Sequence, residues 1–347
     1  EVIPSELGVS SMRVNMGNIE NKGIELTINA TPIQLRDFSW QTTLTYTKNK
    51  NKVLKLSEGK SFVEDGKYLI EEGSPLGQWF GQKALGIYAT DEANAYIKNS
   101  DGSFGDRLIP VYQRDPNNYN NYIYGSNGKP IFSHYETKGG QKYTGDVGQM
   151  TTAGSVSKGG DIIWDDLDHD GVIGDSDRRI LGNGMPTWYM GWTNYLNYKN
   201  FSLSFSFYGS FGNKIYNKQR RDLLQNSSSN MTPLARDCYR LWKYQGQITE
   251  VYSSAKATTG VNNARELSSF FLEDGDYIRL TNARLAYRVD RNFTKRFHIS
   301  DLQLYVYGNN LLTWTKYKGF DPSSISNSNV LRPGIDNGRY PTAREIG

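Results

Sequence analysis

A single cysteine, Cys238, in 347 residues excludes an internal disulfide and a cysteine-only metal cluster. It reads as a small apolar residue on a helix face. Histidine is scarce as well: His134, His169 and His298 stand apart and form no H-E-x-x-H pair, so the zinc-hydrolase pattern is missing. No phosphate-binding glycine loop falls between a strand and a helix, and Gly102, Gly105, Gly139, Gly140, Gly159 and Gly160 read as turn residues. Asp65, Glu71, Asp274 and Asp276 show no pattern that would converge two carboxylates on a glycosidic bond. The chain is therefore not expected to be an enzyme. With 40 Lys and Arg against 36 Asp and Glu, the formal charge of +4 is too balanced to predict nucleic acid as a partner. No stretch approaches the roughly 18 consecutive apolar residues of a membrane helix, so only strands closed into a barrel would cross a bilayer. The first residues, Glu1-Val2-Ile3-Pro4, lack the charged and apolar regions of a signal peptide and read as the middle of a longer chain.

What the chain has in quantity is aromatic and turn-forming residues. Tyrosine (24) outnumbers Phe (14) and Trp (7) together although the mean hydropathy is only -0.64, and 35 glycines point to turns and bulges. Ile24-Glu25-Leu26-Thr27-Ile28-Asn29-Ala30 alternates, which puts Ile24, Leu26, Ile28 and Ala30 on one sheet face. Trp40 to Tyr46 alternates again, and the short connection through Arg36-Asp37 predicts a hairpin. Trp188 to Tyr198 and Phe201 to Phe207 make a second pair joined tightly at Lys199-Asn200. Tyr277 to Val289 and Leu302 to Tyr307 make a third across Asp290 to Asp301. A slip in alternation between Leu280 and Leu285 predicts a bulge, or a strand running past an apolar belt into water.

Between these pairs the character changes. Lys48 to Asn183 holds short strand-like pieces (Val53 to Leu56, Tyr68 to Glu71, Ala84 to Tyr88), and Asp91 to Gly160 shows so little periodicity that it reads as a long loop excursion. A second excursion follows Phe207. There Thr232-Pro233 predicts a helix start, with Leu234, Cys238, Leu241 and Trp242 at helical spacing over about three turns. Tight turns at one end of the strands and long loops at the other are what a transmembrane antiparallel β-barrel requires. Trp188, Tyr195, Tyr198, Tyr305, Tyr307, Trp314 and Tyr317 would then supply the interfacial aromatics. The same alternation suits a secreted β-sandwich, calcium-stabilised and glycan-binding, whose apolar face meets a second sheet. Trp79, Phe80, Trp164 and the Tyr119 to Tyr124 cluster are candidates for stacking on a sugar or peptide.

The sharpest chemical signal is Asp166-Leu167-Asp168-His169-Asp170-Gly171-Val172-Ile173-Gly174-Asp175-Ser176-Asp177. Carboxylates at loop positions one, three and five (Asp166, Asp168, Asp170) converge on one cation because Gly171 at six permits the sharp turn; Val172 offers its carbonyl, and Asp177 closes the shell. Position twelve is Asp in place of Glu, a shorter reach. A structural Ca2+ stapling a loop with little core of its own is the expectation. Without apolar helices on either side, an EF-hand switch is not.

Several segments together resemble the C-terminal part of the SusC/RagA family of TonB-dependent outer-membrane transporters. They are Asn21-Lys22-Gly23-Ile24-Glu25-Leu26, Gly73 to Gly81 with Gly86-Ile87-Tyr88, and Gly160-Asp161-Ile162 followed by Asp166 to Asp177. After these come Ile180-Leu181-Gly182-Asn183, Pro186, Tyr198 to Leu203, Asp274 to Leu280, Gly308 to Leu312 and Gly319-Phe320-Asp321-Pro322. The resemblance implies an all-β chain, residues 1–347 being a C-terminal portion of a barrel of about 22 strands, incomplete at both ends, with long extracellular loops within 48–183. It implies an outer membrane of Bacteroidetes-like Gram-negative bacteria, bilayer lipid around the strands, a SusD-like surface lipoprotein over the extracellular side, and TonB engaged through an N-terminal region that this chain does not carry. It also implies import of a glycan or an oligopeptide. The family fit is poorest from about Asn99 to Ser157, and no substrate-binding residue is readable.

Overall fold

The computed structural model describes residues 17–56, 59–225, 235–253, 263, 267–323 and 329–347. Seven strands form the main sheet in chain order: β1 (Gly17–Gln34), β2 (Phe38–Leu56), β3 (Trp188–Tyr198), β4 (Phe201–Phe211), β5 (Tyr277–Arg288), β6 (Gln303–Thr315) and β7 (Glu345–Ile346). Every neighbouring pair is antiparallel, so the sheet is a meander. The turns after β1, β3 and β5 lie at one end and are laced together by backbone bonds: the Lys199 amide donates to the Asp37 carbonyl and the Arg288 amide to the Asn200 carbonyl, at 2.8 and 2.9 Å. The connections after β2, β4 and β6 leave from the other end and are long.

Partners across an antiparallel pair share a face, so the register traces each face from strand to strand. One row runs Ile28, Leu44, Trp192, Phe207, Leu280 and Leu312, and beside it on the same face lie Leu26, Leu196, Leu203, Leu285 and Val306. Among the described residues no second sheet lies upon this apolar face: Ile24 is 68% exposed, Leu26 51% and Val306 52%. The β-sandwich expectation fails on that observation, because a sandwich buries the apolar face of each sheet. Aromatics mark both ends of the face. Phe38, Trp40, Tyr198, Phe201 and Tyr287 lie at the short-turn end, and Tyr46, Trp188, Phe211 and Trp314 at the other, where Trp188 stacks on Phe211 at 3.9 Å. Ten residue steps from Trp188 to Tyr198 at ~3.3 Å give about 33 Å of strand, which at a tilt of ~40° spans about 25 Å, the height of a barrel's apolar band. Two polar residues on this face are covered by indoles. Trp192 Nε1 donates to Thr42 Oγ1 (2.9 Å) and Trp40 Nε1 to Asn194 Oδ1 (3.0 Å).

The opposite face is a ladder of hydroxyls and amides. Thr43 donates to Asn29, Thr193 pairs with Ser206, Asn282 donates to Asn309, and Asn309 to Glu345, all at 2.8–3.0 Å. Tyr195, Tyr305 and Tyr307 belong to this polar face by register, and Tyr317 is buried beyond β6 with its hydroxyl on Asp336 (2.6 Å). Of the seven expected interfacial aromatics, only Trp188, Tyr198 and Trp314 are therefore in the girdles. The expected bulge is at Thr281, which has no cross-strand partner on either side; its hydroxyl donates to the Ser206 carbonyl at 3.0 Å. Val53 to Leu56 is not a separate strand but the end of β2.

Contacts divide the chain into two units, the first (1–79, 182–215 and 273–347) carrying the sheet and the second comprising 80–181 and 216–272. In the second unit the expected loop excursion is built of short strands: Tyr96–Lys98 between Phe104–Arg107 and Val147–Gly148, Ile109–Tyr112 beside Phe132–Glu136, and Ala84–Ile87 beside Ile162–Trp164. Tyr88, Ala95, Leu108, Ile162 and Trp164 are buried at its centre. Polar hubs substitute for long strands. Buried Asn94 donates to the Met150 and Ser157 carbonyls and accepts from the Met150 amide, while Asp91 gathers Lys129, Gln245 and the Gly159 amide. Of the expected three-turn helix the described residues show one turn, Ala235–Cys238, and Leu241 and Trp242 lie beyond it; Thr232, Pro233 and Leu234 lie outside the described residues.

Candidate functional site: the acidic loop

Asp166 to Asp177 reverses on two left-handed residues, His169 (φ 61°) and Gly171 (φ 78°). Glycine is required at the second: a Cβ on Gly171 would lie 2.4 Å from the Phe104 ring. Asp166 Oδ2 accepts from the Gly171 amide at 3.0 Å, so the residue at loop position one fixes position six. Asp177, fully buried, accepts from the Leu167 and Gly174 amides at 2.7 Å each and ties the two ends of the loop together. One oxygen each from Asp166, Asp168 and Asp177 lies within 4.8 Å of the others, as shared coordination of one small cation requires. Asp170 stands outside this group; its Oδ1 accepts from the Val172 amide at 2.7 Å. Val172 itself sits in a two-residue strand paired in parallel with Thr151–Thr152.

Two features suit a cation. Asp166 is buried, and its Oδ1 has no hydrogen-bond partner, an acceptor atom without a donor in a place where desolvation is costly. Burial also raises the Asp166 carboxyl above its ordinary range, helped by the nearby carboxylates of Asp177, Asp168 and Asp170 and opposed by the Gly171 amide. Exposed Asp168 is lowered, chiefly by the Ser176 hydroxyl. The loop is better anchored than its sequence suggests. The Phe104 amide donates to the His169 carbonyl, Thr151 to Gly171, and Gln82 Nε2 to Gly174, while Ile173 is buried. A metal would thus finish an already folded loop.

A cavity of about 660 Å3 in the same unit touches the loop at Asp166 and His169 and is walled by Tyr88, Leu108, Met150 and Ile163. Sequence reasoning missed it because its walls come from segments far apart in the chain. It also missed the Arg279–Asp321 pair of the first unit: both side chains are buried, 2.5 Å apart, with Thr313, Ser323 and Thr342 hydroxyls completing the guanidinium's partners. Among the aromatics expected to stack on cargo, Trp79 and Trp164 are buried, and Phe80 lies under the Arg178 guanidinium. Tyr119 and Tyr124 are exposed.

An antiparallel meander with short turns at one end, long connections at the other and an uncovered apolar band between two aromatic girdles is the wall of a transmembrane β-barrel. No family model matches the chain. It is 35% identical over 99% of its length to TonB-dependent receptor P39 of Formosa agariphila, and 25% identical over 96% to TonB-dependent receptor SusC of Bacteroides thetaiotaomicron. It spans 31% and 26% of those proteins. The solved RagAB peptide transporter superposes on 99% of the chain with a TM-score of 0.64 at 17% identity, the chain covering 30% of that structure. Over nearly its whole length the chain is thus similar to one part of TonB-dependent receptors of the SusC kind, and its fold is that of the matching part of the RagAB transporter.

Proposed function

We propose that this chain is part of the barrel of an outer-membrane importer that takes up a nutrient, a glycan or an oligopeptide, in a SusCD-type complex. The observation that carries the reading is the uncovered apolar band of β1 to β6 between its two girdles, backed by the receptor relatives. The polar face of the sheet would line the lumen, and a hydroxyl and amide ladder suits passage of polar cargo. A surface lipoprotein of the SusD or RagB kind would cover the side from which the long connections leave, and TonB would act on parts of the protein outside this chain. The acidic loop serves as a structural Ca2+ site held by Asp166, Asp168 and Asp177, with the Val172 carbonyl and Asp170 as further ligands. Bound there, the ion would offset two of the three negative charges that face one another.

The test is uptake by cells. A deletion strain should lose uptake of one cargo class, regain it with the full-length wild-type gene and not with a variant that fails to assemble. Unchanged uptake of both glycans and oligopeptides in the deletion strain would refute the import reading.

A further inference from the structure

We infer that the turn between β5 and β6 is a phospholipid-binding anchor, whose phenylalanines enter the leaflet at the short-turn rim and whose cations hold anionic phosphodiester headgroups. The turn is built as a small platform. Asp290 accepts from the Asn292 amide and starts a single helical turn, Arg291–Thr294, continued by Lys295–Phe297. Buried Thr294 faces inward, which leaves Phe293 and Phe297, four residues apart, on the outer side. Their rings lie 5.5 Å apart and are 53% and 62% exposed, and Ile299 beside them is 40% exposed. Such a pair in water loses most of the free energy that burial of two phenyl groups supplies.

Two observations commit the surface to lipid. It continues the rim aromatics of the apolar face, where Phe201 meets Tyr287 at 4.7 Å and Leu304 is 59% exposed. The second is charge. Among the described residues Arg291, Lys295 and Arg296 are exposed and in no ion pair, and Lys199 on the turn laced to this one lies 5.5 Å from the Tyr198 ring. The carboxylates nearby are otherwise engaged: Asp301 with Arg288 at 3.4 Å, and Asp290 as the helix cap. A polar notch of about 350 Å3 between Asn200, Arg288, Arg291 and Ser300 has room for a headgroup; Asp290 and Asp301 also line it. Exposed aromatics beside unpaired Lys and Arg at a bilayer boundary are the signature of interfacial binding to anionic lipid. The inference rests on the barrel reading of the sheet, so assembly is measured separately.

The experiment uses the full-length protein carrying Cys238→Ser, reconstituted in phosphatidylcholine nanodiscs with or without phosphatidylglycerol. A bimane label on Phe293→Cys should be quenched by brominated acyl chains and little by aqueous iodide, while a label on Tyr119→Cys shows the reverse. Arg291→Gln/Lys295→Gln/Arg296→Gln should lower phosphatidylglycerol retention by at least about ten-fold, since each cation near an anionic surface contributes roughly five-fold. Heat-modifiable gel migration should be unchanged in both variants. A label at 293 that answers only to iodide in an assembled barrel, or a triple variant that retains phosphatidylglycerol like the parent, overturns the anchor. Failure of the parent itself to assemble in lipid overturns the barrel reading instead.

Discussion

Replacing Phe205 with arginine tests the facing of the whole sheet through one position. Phe205 lies on the apolar face near the middle of β4, opposite Asn194 and Ala283, edge-on to Trp192 at 6.0 Å and to Phe207 at 5.9 Å. An arginine at the midplane of a barrel costs about 2–4 kcal/mol. The two aromatic contacts it removes contribute ~0.5–1.5 kcal/mol each. Phe205→Arg should thus cost ~3–7 kcal/mol, a shift of at least about 100-fold in the folding equilibrium. Its neighbour Ser204 points to the polar face, across from Tyr195 and Arg284. Ser204→Arg adds a like charge opposite Arg284, a penalty of roughly 0.2–1 kcal/mol. Urea unfolding of the full-length protein in lipid vesicles, with gel migration before and after heating, separates the two. Equal tolerance of both variants would refute the facing.

The acidic loop, the loop hub and the buried ion pair each give a further prediction. Asp168→Ala should weaken Ca2+ binding by ten-fold or more in calorimetric titration, and Asp170→Ala less, because its carboxylate is committed to the Val172 amide; equal binding by parent and both variants removes the metal. Asn94→Ala leaves the Met150 amide and two buried carbonyls without their partner, at ~1–3 kcal/mol per orphaned group, and faster amide exchange at Met150 and neighbouring residues is the readout. Asp321→Asn leaves Arg279 buried without its counter-charge and should cost ~3–5 kcal/mol in urea unfolding. Asp321 also carries a pH dependence: burial pushes its carboxyl up, but the Ser323 and Thr342 amides and hydroxyls outweigh it and hold the group well below the usual range. A depressed folded value means that this stability is complete above the unfolded value of about 3.9 and is lost as pH falls below it. The parent should therefore lose more stability than Asp321→Asn as urea midpoints are followed from pH 5 downward; parallel curves would dismiss the effect.

Where alternation was strict, the strands were legible to the residue, as in Trp188–Tyr198. Strand ends were not. β4 runs on through Tyr208-Gly209-Ser210, where glycine interrupts the apolar series, and β2 runs to Leu56 through a lysine- and asparagine-rich stretch because a strand beyond the apolar band needs no apolar face. The girdle departs from expectation for a different reason: residue type suggests Tyr195, Tyr305 and Tyr307, whereas counting in twos from Phe201 and across the hairpins puts them on the polar side. The second unit is hard to read in the sequence because its strands are two to six residues long and pair across distant segments, so neither period nor propensity marks them. The acidic loop was legible as a motif, since its spacing encodes its geometry. That Asp170 would cap Val172 was not, because a carboxylate at that position serves a cation or a backbone amide equally well.

A barrel wall requires the apolar face of the sheet to meet hydrocarbon. Nitroxide labels placed singly from Phe201 to Phe207 in the full-length, Cys238→Ser protein in lipid measure this by their relative access to oxygen and to a water-soluble nickel chelate. Oxygen access should peak at 201, 203, 205 and 207 and chelate access at 202, 204 and 206. A flat profile, or chelate access highest at the odd positions, would contradict it.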